Sequence, residues 1–222
     1  MKLLAIDTST DYLSVAVMDG AKTLARIHRK VPRSHSSLLM PTIDSCLTGA
    51  RLGLAKIGAI AVSIGPGSFT GLRIGVATVK GLAFVTKTPI VAVPTLDAIA
   101  ENGRKICGIL CTVLDARKGK VYACIYRSDG KTVKKLSKYL LLPMQELLSK
   151  LERYETVAFL GDFAERAAAM RPGAKVATLS WHPKPEVVGS LGLGYVNRKK
   201  FVSVEDLEPM YLYSRECDIT GK

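Results

Sequence analysis

Aromatic side chains are scarce in this sequence: Phe, Tyr and Trp make up 6% of 222 residues, with a single Trp. They do not interleave with the basic clusters, which disfavours a dedicated stacking platform for single-stranded nucleic acid. Histidine is scarcer still, and His28, His35 and His182 stand at no metal-ligand spacing. The five cysteines (Cys46, Cys107, Cys111, Cys124, Cys217) are odd in number and form no CxxC pair. Cys107 and Cys111, on an expected strand, would hold their Cα atoms roughly 13 Å apart, too far for a bridge. A disulfide framework and a structural zinc are both disfavoured, and reduced thiols fit the cytoplasm. Gly, Pro or charge breaks every apolar run within about a dozen residues, so no membrane span is expected. Met1-Lys2 leads straight into a strand pattern, without the apolar region of a signal peptide.

Acidic residues are few as well: 19 Asp and Glu stand against 32 Lys and Arg, a formal net charge of +13. Basic residues gather at Arg26-Ile27-His28-Arg29-Lys30 with Arg33, at Lys131 with Lys134, Lys135 and Lys138, and at Arg198-Lys199-Lys200. Such an excess attracts polyanions with salt-dependent affinity. It serves solubility, or contact with an acidic protein, equally well. The 48% hydrophobic and 23% charged content is that of a globular chain, long enough for one large domain or two small lobes.

The richest stretch is Ser63-Ile64-Gly65-Pro66-Gly67-Ser68-Phe69-Thr70-Gly71-Leu72-Arg73-Ile74-Gly75, between a strand pattern and a helix pattern. A glycine-rich turn there leaves N–H groups free at a helix start, where the dipole favours an anion. No Gly-Lys-Ser/Thr closes it, so it is not a Walker loop. The alternative is that the glycines permit tight turns and close packing, Gly71 and Gly75 sharing one helix face.

Along the chain, strands are expected at Lys2–Ile6, Tyr12–Met18 and Thr23–His28. A helix follows Ser34, an expected N-cap, then a strand at 57–64, a helix to about Phe84 and a strand at Ile90–Val93. The pattern recurs with strands at Ile106–Leu114, Val121–Arg127 and Thr132–Tyr139, a helix at Pro143–Leu151, a strand at Thr156–Leu160 and a helix at Asp162–Met170. A helix pattern at Lys184–Lys199 closes the chain. Two copies imply an α/β protein of two similar lobes, 1–102 and 103–222, each a mixed β-sheet with helices.

Four segments come in a telling order: Asp7-Thr8-Ser9-Thr10, His35 leading into Leu38-Leu39-Met40-Pro41, the glycine segment, and Asp115-Ala116-Arg117-Lys118-Gly119-Lys120-Val121-Tyr122. Together they resemble the TsaB (YeaZ) family of bacterial tRNA threonylcarbamoyladenosine biosynthesis, most strongly over residues 1–127. Pro209-Met210-Tyr211-Leu212-Tyr213 resembles a C-terminal feature of that family, with Tyr213 where an Arg is usual. The resemblance implies an actin-like ATPase (ribonuclease H-like) fold. In that fold the turn Asp7, Thr8, Ser9, Thr10 would contact phosphate, matched in the second lobe by Asp115. The adenosine side usually carries a Gly-Gly pair; here Gly161-Asp162-Phe163 stands there, and Phe163 would hinder a base. These residues are candidates for a vestigial nucleotide site, or one completed only at the joint with a partner.

The same resemblance implies a non-catalytic subunit that activates a TsaD-type transferase. Aligned through the glycine segment, Thr95 and Ile99 fall where TsaD places two metal-binding histidines, and Ile99 cannot ligate at all. No catalytic residue and no metal site is therefore expected, and no tightly bound cofactor. The candidate partner surface comprises His35, Leu38, Leu39, Ile43 and Leu47 on one helix and Gly71, Gly75 and Val79 on the next. By resemblance these helices pair with those of the TsaD-type transferase, a TsaE-type ATPase completes the assembly, and the chain alone forms a homodimer through the same patch. Each stripe could instead face the protein's own sheet. Contact with tRNA is left open. Two alternatives remain: a stand-alone kinase or ATPase of the same fold, and a basic RNA-binding protein.

Overall fold

Alternation between strand faces builds the first sheet. The computed structural model describes residues 1–177 and 180–213, so Cys217 lies outside the described residues. In β1 (Lys2–Asp7), Leu4 and Ile6 point to one face while Leu3 and Ala5 point to the other. β2 (Tyr12–Asp19) and β3 (Lys22–Lys30) return antiparallel. Helix α1 (His35–Gly49) leads to β4 (Ala59–Gly65), α2 (Phe69–Thr86), β5 (Ile90–Pro94) and α3 (Thr95–Asn102). β4 lies parallel to β1 and β5 parallel to β4, as helical crossovers require, giving the order β3-β2-β1-β4-β5.

The second sheet repeats this plan. β6 (Gly108–Arg117) and β7 (Lys120–Ser128) form a hairpin, and β8 (Val133–Lys135) and β9 (Leu140–Pro143) both pair with β7. Then come α4 (Met144–Leu151), β10 (Val157–Leu160), α5 (Ala164–Ala169) and β11 (Ala174–Val176), in the order β11-β10-β6-β7-β8. The strand expected at Thr132–Tyr139 is confined to Val133–Lys135, and β9 beyond it was not expected. Leu136 and Ser137 both donate their N–H to the Ile125 carbonyl, and Ser137 Oγ accepts from Ile125 N at 3.0 Å, breaking the ladder. Ser34 precedes α1 as expected, but its hydroxyl donates to the Pro32 carbonyl and does not cap the helix.

Residues Met1–Asn102 form one compact unit, and Gly103–Trp181 with the described chain from Met210 form the other. The expected C-terminal lobe of 103–222 needs one correction: His182–Pro209 belongs to the first unit. The reason is α6 (Pro185–Asn197), which covers the sheet face opposite α1 and α2. That face carries Ala5, Ala16, Ala59 and Ala61, leaving room for a helix to come very close. A Cβ on Gly192 would stand 2.5 Å from that of Ala61. Both sheet faces of the first unit are therefore covered. Helix α2 alone among the described helices is long and apolar enough, on length and composition, to cross a membrane. Here Leu72, Val76, Val79 and Ala83 pack into the protein's interior.

Candidate functional site

The turn after β1 and the start of α2 close on each other. Thr8 Oγ1 donates to the Gly71 carbonyl at 2.8 Å, and Ser68 N donates to the Ser9 carbonyl at 2.7 Å. Ser68 Oγ caps α2 by accepting from Gly71 N at 3.2 Å. The approach is so close that side chains have no place. A Cβ on Gly71 would meet the Thr8 carbonyl oxygen at 2.1 Å, and one on Gly75 would meet Thr8 Oγ1 at 2.3 Å. The close-packing alternative describes this segment.

Asp7 is fully buried at the end of β1 and accepts from Ser9 N at 3.1 Å and from Ser9 Oγ at 2.9 Å. Burial pushes its carboxyl up to about 6, against the opposing pull of the Ser63 and Ser9 hydroxyls, Ser9 N and the nearby His35. Thr10 Oγ1 accepts from Tyr12 N, and His35 Nε2 lies 3.2 Å from the Tyr12 carbonyl. Asp7, Thr8, Ser9 and Thr10 are all buried, and their polar side-chain atoms already bond to one another or to neighbouring backbone.

Asp115 belongs to the second unit. Its carboxylate accepts from Arg117 N, and its own N donates to Asp162 Oδ1, each at 2.8 Å. Burial raises the Asp162 pKa. Phe163 is half-buried with the Arg166 guanidinium over its ring. Tyr213 donates to the Ala116 carbonyl at 2.8 Å and meets Tyr122 edge-on.

The expected partner stripe needs a larger correction. Leu39 is 1% exposed and Val79 0%, and Ile43 and Leu47 are buried with them in the core between α1, α2 and the sheet. His35, Gly71 and Gly75 are buried too; of the eight candidates Leu38 alone is partly exposed. The period was right and the direction was inward. Thr95 Oγ1 accepts from Gly65 N at 3.1 Å and Ile99 is a buried core residue, so both positions carry structural groups.

The opposite face of α2 escaped notice. Phe69, Arg73, Ala77, Gly81, Phe84 and Val85 are exposed along it, Phe84 by 62% and Val85 by 79%, with Arg73 stacked over Phe69 at 3.9 Å. Met40 and Pro41 are exposed on α1, which packs beside α2. Apolar residues at both ends of a helix with Ala and Gly between them were the available signal.

The family described as TsaD, tRNA N6-adenosine threonylcarbamoyltransferase, matches residues 27–180. The chain is 32% identical to the tRNA threonylcarbamoyladenosine biosynthesis protein TsaB of Bacillus subtilis (strain 168), over 98% of this chain and 96% of that protein. It is 37% identical to the Escherichia coli (strain K12) protein of the same name, over 58% of this chain and 56% of that one. Among solved structures, YeaZ from Pseudomonas aeruginosa superimposes with a TM-score of 0.81 at 30% identity, over 95% of this chain and 99% of that one. A ROK family protein from Streptococcus pneumoniae, at 10% identity and TM-score 0.51, covers 90% of this chain and 100% of that one and shares the actin-like fold alone.

Proposed function

The chain belongs to the TsaB family of tRNA threonylcarbamoyladenosine biosynthesis proteins, and on that premise we propose that it is a non-catalytic subunit that binds and activates a TsaD-type transferase. The observation that carries this reading is the exposed apolar face of α1 and α2, with Met40, Phe69, Phe84 and Val85 flanking the small Ala77 and Gly81. A partner helix can approach over the small residues and bury the large ones on either side. Thr95 and Ile99, where the resemblance expects metal-binding histidines in the transferase, support the non-catalytic part. A homodimer of the free chain uses the same face and competes with the transferase for it. The closed turn at Asp7–Thr10 supports a chain that holds no nucleotide there by itself, leaving any nucleotide, and a TsaE-type ATPase, to the assembled complex.

Size-exclusion chromatography with the cognate TsaD-type transferase tests the reading. Wild type should co-elute, and Phe84→Glu should not, because a charge buried without a partner costs several kcal/mol. Co-elution of a folded Phe84→Glu protein at wild-type affinity would place the partner surface elsewhere. Threonylcarbamoyl transfer to tRNA by this chain without the transferase would overturn the non-catalytic assignment.

A further inference from the structure

In the second unit a groove of about 420 Å³ runs between the sheet edge and the end of α4. Ser137, Leu140, Ser149, Lys150 and Arg153 line it, with the buried Ile125 beneath. Arg127 follows Ile125 by two residues on β7 and so shares its sheet face. Lys134 stands directly across the ladder from Arg127. Two like charges in register repel, a destabilising arrangement in an antiparallel pair. Neither is ion-paired among the described residues, and both are exposed. Cations thus stand on both banks, Arg127 and Lys134 on the strands, Lys150 and Arg153 on the helix. Arg153 lies 5.0 Å over the Tyr154 ring, and Lys150 makes one exposed ion pair with Glu146 at 3.4 Å, a contact easily exchanged for another anion. The basic run Lys131–Lys138 is split by the strand: Lys135, opposite Tyr126, takes the other sheet face, where its ammonium lies over the Tyr139 ring.

We propose that this groove binds the phosphate backbone of an RNA, its phosphates held between Arg127–Lys134 and Lys150–Arg153. Cations on both banks fit a chain of phosphates, and a net charge of +13 supplies the long-range attraction. This deepens the reading of the chain as a tRNA-modification subunit by giving it a contact of its own with tRNA.

The test is fluorescence anisotropy of an unmodified tRNA transcript with the full chain, titrated at several salt concentrations. Lys134→Glu combined with Arg153→Glu should weaken binding at least tenfold and lower the salt slope by about 1–2. Lys199→Glu with Lys200→Glu, the basic cluster after α6, should stay within about threefold. Arg127→Gln separates binding from folding: relieving the like-charge pair should hold or raise the melting temperature while weakening RNA binding. No RNA binding by wild type, a groove variant within threefold of it, an equal loss in the Lys199/Lys200 control, or a lower melting temperature for Arg127→Gln would overturn the proposal. So would a groove variant that keeps RNA but loses the transferase, which would make an acidic protein the occupant. The titration contains no transferase, so failure of the helical-face reading leaves this test intact.

Discussion

Thr8 holds Gly71 by a 2.8 Å hydrogen bond from its hydroxyl to the glycine carbonyl, while its own carbonyl oxygen occupies the space a Gly71 Cβ would need. One residue both fastens α2 and forbids a side chain there. Gly71→Ala should cost about 1–3 kcal/mol, the range of overpacking, because the obstacle is backbone and not the movable end of a side chain. Gly75→Ala meets the Thr8 hydroxyl, which can swing aside only by giving up its bond to the Gly71 carbonyl, so it should cost about 1 kcal/mol, that of one lost hydrogen bond. Urea unfolding of the two variants checks the order; Gly71→Ala as stable as wild type would mean the turn and α2 separate freely.

Leu39→Glu and Phe84→Glu should behave oppositely on stability. Leu39 sits in the core of the first unit, so an unpaired carboxylate there should cost upward of about 3 kcal/mol and unfold the unit. Phe84 is 62% exposed and should leave melting within about 0.5 kcal/mol of wild type. Thermal melting followed by circular dichroism reads both. A stable Leu39→Glu protein would restore the outward stripe.

That contrast marks the limit of what the sequence discloses. Hairpin turns, alternating strands and crossover helices are local, so the duplicated plan was legible from the spacing of Asp19-Gly20, Ser128-Asp129-Gly130 and the apolar runs. The period of Leu39, Ile43 and Leu47 was legible too. Its direction was not: α2 is apolar on nearly every side, and only packing decides that Val79 goes in and Val85 stays out. The return of α6 to the first sheet depends on four alanines on strands far away in sequence. Tyr12, flanked by His28 and His182 at ring distances of 4.7 and 4.1 Å, likewise joins residues whose numbers give no hint of contact.

Asp7 should make the protein less stable as pH rises from about 4 to 6. Its folded pKa of about 6 exceeds the ordinary 3.8, so the folded state binds the extra proton and loses that advantage on ionising. Asp7→Asn keeps the acceptor for Ser9 N, and its amide in place of Oδ2 can donate to the Ser9 hydroxyl, 2.9 Å from that position. Near pH 7.5 it should be about 1–3 kcal/mol more stable than wild type, and at pH 4 nearly equal to it. Equal stability of the two proteins at both pH values would mean that the carboxyl ionises without penalty.

The histidines beside Tyr12 push the other way. Burial lowers the pKa of His28, assisted by His182, and burial lowers that of His182 despite the pull of Asp11 at 3.2 Å. A depressed folded pKa means the unfolded chain takes up protons first, so stability is lost as pH falls below the ordinary 6.5. Between pH 7 and 5 the Asp7 and histidine contributions therefore oppose each other, and wild type should show a shallow dependence. Removing Asp7 exposes the histidine part: Asp7→Asn should lose melting temperature more steeply than wild type on acidification over that range. Adding His28→Gln, which retains a partner for the Ser14 hydroxyl now 2.8 Å from His28 Nδ1, should flatten the curve again. An Asp7→Asn curve parallel to wild type would show that the two effects do not offset. His182 also opens the segment carrying α6 back to the first sheet. Hydrogen exchange at pH 5 should therefore show lost protection in α6 before the strands of that sheet.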